Sequence, residues 1–246
     1  MALHLIRTCK NAVHKFATGY YNSLLIFLTA LIVLRPTTAN AHYIIAWKLL
    51  FVITLMSAVF SAKSSRTVKW ITAALLVPII IIGRISVSVD SLVLLVSNSI
   101  FTVLFISITA IAILYDVILG TRVTLETFKG AVSAFLMCGL AFAYIFYLIE
   151  ILSPGSFFFA PGELLNSSHP AYLSKMIYFS FMALLAIGYG DILPLHDFAQ
   201  TVVIIEGTLG QFYVAILISR LVSVYTFSGD RELLREYSKQ KKNQQA

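Results

Sequence analysis

Ile187-Gly188-Tyr189-Gly190-Asp191 follows directly on an apolar run over 171–186, and how these two stretches join decides the reading of the chain. The run opens at His169-Pro170, where Ser167 or Ser168 can cap a helix and proline is tolerated in the first turn. Crossing a bilayer takes about 20 apolar residues, so this run is too short for a span of its own. It ends in Gly-Tyr-Gly-Asp, which continues a helix poorly. Non-helical backbone at membrane depth is tolerated only where protein or a water-filled cavity surrounds it. The segment therefore reads as re-entrant, with a short helix going in and an extended strand coming back.

Composition supplies the membrane this reading needs. Of 246 residues 59% are hydrophobic and 12% charged, with a mean hydropathy of +0.89. A soluble domain of this length could not bury so much apolar surface, and continuous rather than alternating runs argue against an outer-membrane barrel. The expected fold is an all-α polytopic membrane protein. Six transmembrane helices lie near 21–34, 43–62, 68–83, 91–119, 131–152 and 199–225, and the re-entrant pore helix and filter lie between the fifth and sixth. The first and third are short and should draw in flanking polar residues. Ser153-Pro154-Gly155 closes the fifth.

Charge orients these spans. Fourteen of the 18 Lys and Arg fall before 21, at 63–69, at 122–129 or from 220 onward, which places both termini in the cytoplasm. Arg35, Arg84 and Lys175 fall outside, and Lys48 snorkels from within a span. The net charge of +7 is spread between and after the apolar runs, so it calls for no nucleic acid. Residues 24–34 followed by Ala39-Asn40-Ala41 imitate a cleavable signal peptide, but Arg35 and Pro36 interrupt the approach. Cys9 and Cys138 lie a leaflet apart and the five histidines are scattered, so neither a disulfide nor a metal site is expected.

Gly-Tyr-Gly after a short helix suits one chemistry. A dehydrated cation needs a cage of oxygens, and successive backbone carbonyls supply it if all point one way. Glycine reaches the required backbone conformations easily, hence Gly188 and Gly190. The negative C-terminal end of the short helix also favours a cation.

From about 122 to 225 the chain resembles the pore module of potassium channels, especially prokaryotic channels with a single pore loop. The resemblance rests on Arg122-Val123-Thr124, Pro154-Gly155-Ser156-Phe157, Tyr178-Phe179-Ser180-Phe181, 187–194 and Glu206-Gly207-Thr208-Leu209-Gly210-Gln211. It implies a homotetramer passing K⁺ down its gradient, in contact with membrane lipid and with no cofactor other than the permeant ion. By that likeness the carbonyls of Ala186, Ile187, Gly188 and Tyr189 line the ion sites, Gly190 completes the filter, and Asp191 stands at the outer mouth. Gly210 falls where such channels place a gating hinge, with close helix packing the alternative. Glu206 and Gln211 are expected to support the filter through hydrogen bonds. Glu150 and Asp197 are expected near the outer surface, adding to its negative potential.

The implied domains are an N-terminal cytoplasmic or interfacial segment over 1–20, a four-helix scaffold over 21–120, a pore domain over 121–228 and a cytoplasmic basic tail over 229–246. The tail is too small for a soluble regulatory domain. The fourth span has no arginine ladder, so the scaffold is not expected to sense voltage. The family usually places threonine where this chain has Ala183 and Ala186, so the innermost ion site lacks its hydroxyls. A weakly selective cation channel, a potassium-transporter subunit or a non-conducting auxiliary subunit is the alternative. No enzymatic motif is present.

Overall fold

A computed structural model describes residues 21–35, 41–61, 66–88, 91–119, 124–159 and 169–219. The expected interfacial segment at 1–20, Arg122 and Val123, the cap serines at 167 and 168, Arg220 and the basic tail lie outside these residues. The elements run α1 (Asn22–Val33), α2 (Ala41–Ser61), α3 (Arg66–Ser88), α4 (Leu92–Leu119), α5 (Leu125–Leu152), β1 (Phe157–Phe159), α6 (His169–Leu184), β2 (Ile192–Pro194) and α7 (Asp197–Ser219).

Among the described residues five helices are long and apolar enough to cross a membrane: α2, α3, α4, α5 and α7. The first expected span is shorter than these. With 12 residues, α1 reaches about 18 Å at 1.5 Å per residue. It is nonetheless an interior element, because Leu24, Leu28 and Leu31 fall on one face and are fully buried against α2 and α5. The open carbonyls of its last turn are met by α2. Trp47 Nε1 donates to the Leu31 carbonyl at 3.1 Å, and the Tyr43 hydroxyl donates to that of Leu34 at 2.9 Å.

Two other helices outrun their expected limits. α3 takes Arg66 into its first turn and extends past Arg84 to Ser88, where long side chains reach polar surroundings, and it carries Pro78 in its interior. α5 begins at Leu125 rather than 131, because Thr124 caps it: its side chain accepts the Thr127 N–H, and Thr127 returns the bond to the Thr124 N–H. This draws Lys129 into the helix, 2% exposed, with its Nζ 2.9 Å from Glu126 Oε1. The Tyr21 N–H donates to Glu126 Oε2 at 3.3 Å, joining the start of α1 to the start of α5. In α4 the buried Ser99, Thr102 and Thr109 hydroxyls donate to carbonyls one turn back, so they need no outside partner. One continuous apolar core runs from Tyr21 in front of α1 to Ala199 in α7, with α5 at its centre.

Candidate functional site

α6 enters the protein against α5 and stops abruptly. The Ile187 N–H donates to the Met182 carbonyl at 2.9 Å, and the Ala186 N–H to the Ala183 carbonyl at 2.9 Å. This paired closure is the common helix stop whose turning residue is left-handed, usually glycine. Here the turning residue is Ala186, with φ of 54°. A residue with a Cβ costs roughly 1–2 kcal/mol in that conformation. Ala186 was singled out in the sequence for a missing hydroxyl; the structure gives it a second property, a strained turn just before the Gly-Tyr-Gly segment.

Beyond it, Gly188 (φ 58°) and Gly190 (φ 78°) are also left-handed, while Ile187 and Tyr189 are not. In an ordinary strand successive residues face opposite ways. Left-handed turns at every second residue undo that alternation. A Cβ added at Gly188 or Gly190 would have nothing within 4 Å, and Tyr189 is 71% exposed. One side of this strand is therefore open in the single chain.

The strand's exit is pinned. β2 pairs antiparallel with β1 in the register Phe157–Pro194, Phe158–Leu193 and Phe159–Ile192, and the Leu195 N–H donates to the Ser156 carbonyl at 2.8 Å. Glu150 holds β1 in place from the end of α5. Its Oε1 accepts the Gly155 N–H at 2.7 Å and its Oε2 the Phe157 N–H at 2.9 Å. Glu150 is thus buried in the turn, not spread on the outer surface as the sequence suggested; two unpaired N–H groups outweigh its attraction to water. Phe146, Phe157 and Phe179 meet edge to face behind the pair. Asp197 is exposed.

The back of α6 is tightly packed. Gly139 of α5 lies so close to Phe181 that an added Cβ would stand 2.8 Å from its ring. At Gly210 of α7 an added Cβ would stand 2.2 Å from the Leu184 carbonyl oxygen. Close approach therefore requires glycine at 210, whatever part bending plays. Between these contacts, the Ser180 hydroxyl is 2.7 Å from the Gly139 carbonyl and also bonds Glu206 Oε1. Glu206 is fully buried, and its Oε2 has no hydrogen-bond partner among the described residues. Gln211, paired with Glu206 in the sequence reading, is exposed on the single chain. Tyr213 reaches back from α7 to the Ala131 carbonyl.

Beside α6 lies a contact that the sequence did not announce. The Arg35 guanidinium lies 5.0 Å from the centroid of the Tyr178 ring and donates to the Ser174 carbonyl at 3.3 Å. The Tyr178 hydroxyl is in turn hydrogen-bonded to Asp191 and lies close to Tyr189. Residues 143 positions apart in sequence carry no local signal of such a meeting; only the unusual arginine at the end of an apolar run pointed to it.

Residues 134–227 match the family described as Ion channel. Protein LctB of Bacillus caldotenax is 27% identical over 101 residues, which cover 41% of this chain and 74% of that protein. No solved structure matches the chain. The match begins in α5 and takes in α6, the Gly-Tyr-Gly segment, the paired strands β1 and β2, and the described part of α7. The protein is an integral membrane protein, and its residues 134–227 are similar to the ion channel family.

Proposed function

We propose that four copies of this chain surround a common axis and pass K⁺ down its gradient through 186–191. The observation that carries this reading is the strand itself: left-handed turns at 186, 188 and 190, pinned from behind and open in front. Backbone carbonyls turned to one side supply the oxygens a bare cation needs, and four chains complete the cage. The exposed Ile187 and Tyr189, and the exposed apolar face of α7 at Ile205, Leu209 and Phe212, support burial against identical neighbours.

In this proposal Asp191 draws cations to the outer mouth, Glu206 supports the filter helix from behind, and Gln211 meets a neighbouring copy. Six crossings, with α1 as the shortest, put both termini in the cytoplasm of a cell whose inner membrane holds the channel. Gating is not driven by voltage.

Purified protein in liposomes tests the reading. K⁺ flux should appear, should vanish on Tyr189→Ala, and should give a reversal potential following K⁺ when Na⁺ is opposite. No flux under any stimulus tried would favour an auxiliary subunit. One observation favours a second reading, a weakly selective pore: Ala186 brings no hydroxyl and a strained backbone to the innermost site. A reversal potential near zero under the same gradients decides for it.

A further inference from the structure

Arg35 stands at the end of α1, outside the segment that matches an ion channel, yet its side chain rests on the re-entrant helix. Its backbone is fixed from the other side. The Tyr43 hydroxyl of α2 lies 2.9 Å from the Leu34 carbonyl and 3.5 Å from that of Arg35, and Trp47 holds Leu31 one turn earlier. Arg35 is partly buried, and so is Tyr178 beneath it, while Ser174 is buried. A guanidinium gives up water more readily than an ammonium and stacks flat on a ring, so it suits such a position. Tyr178 is the side chain of α6 that meets Asp191, the last residue of the filter. Four elements thus converge on one tyrosine: α1 and α2 through Arg35, α6 through the ring itself, and the filter exit through Asp191.

We propose that Arg35 is a positioning residue for the outer mouth, clamping Tyr178 through the ring face and the Ser174 carbonyl so that the helices before the pore module set the filter's geometry. The inference rests on the channel reading above. It assigns a role to the first two helices, for which the ion channel match gives none.

Four variants in liposomes test it, with the K⁺/Na⁺ permeability ratio read from reversal potentials. Arg35→Gln should lower the ratio about two- to tenfold, the range that losing a cation–π contact gives. Arg35→Lys keeps a cation over the ring and should stay within about twofold of wild type. Tyr178→Phe keeps the ring and loses the hydroxyl that meets Asp191, so it should fall with Arg35→Gln. The double variant Arg35→Gln/Tyr178→Phe should be no worse than the poorer single variant, because both cut one chain of contacts. A merely structural arginine would lower the melting midpoint in detergent and the number of active channels, leaving the ratio unchanged; that result overturns the proposal. If Arg35→Gln does not assemble, Tyr178→Phe alone decides: an unchanged ratio overturns the clamp, and a lowered one not shared by Arg35→Lys supports it. Wild type without K⁺ flux sinks the channel reading and the clamp together, whereas a conducting wild type with an unaffected Arg35→Gln sinks the clamp alone.

Discussion

Behind the re-entrant segment the chain leaves no slack: Gly139 admits Phe181, Gly210 admits the Leu184 carbonyl, and Ser180 bridges Gly139 to Glu206. In front of it, Tyr189 is mostly exposed, and side chains added at Gly188 or Gly190 would touch nothing. The difference separates two tasks. The back is held by packing and hydrogen bonds within one chain, so the backbone keeps an unfavourable shape. The front is left open on the single chain.

The sharpest way to break this contrast is at its tightest point. Gly210→Val places a branched side chain into the Leu184 carbonyl and should cost more than about 3 kcal/mol, seen as loss of monodisperse protein in detergent. A tolerated valine would mean that the back is loose. Glu206→Ala should cost about 2 kcal/mol in a melting or denaturant titration, because it opens a void and strips Ser180 of a partner. Glu206→Gln brings a donor of its own to the Ser180 oxygen and should lose less than half as much. At the turn between back and front, Ala186→Gly should gain about 1 kcal/mol by relieving the left-handed backbone, and Ala186→Thr should lose a similar amount. The opposite order of midpoints would show that the turn is not under strain. Smallest of all, Tyr189→Phe should leave stability within about 0.5 kcal/mol of wild type. A drop as large as that of Glu206→Ala would make front and back alike.

The apolar runs, the short helix after them and its break at Gly-Tyr-Gly were legible because each is written in adjacent residues. The glycines at 188 and 190 announced their backbone, whereas the Thr124 cap that starts α5 at Leu125 went unread. Helix limits were less legible: Lys129 looked like a flanking charge until pairing with Glu126 let it enter α5. Long-range partners were not legible at all. Ser180 was quoted only as part of a motif, and nothing local says that its hydroxyl spans α5 and α7. Glu150 looked like a surface charge because the N–H groups it serves belong to a turn, and turns show their needs only once folded. Ala186 carried half of its meaning in composition and half in a dihedral angle.

The strand 192–194, paired with 157–159, lies in the chain between the Gly-Tyr-Gly segment and α7. Mechanically it is an anchor point. A swing of α7 reaches Leu195 and the ladder first, and Ser156, itself tied to α5, takes up the pull. Tyr213 gives α7 a second tie to α5 through the Ala131 carbonyl, so a swing of α7 would strain two separate attachments to the same helix.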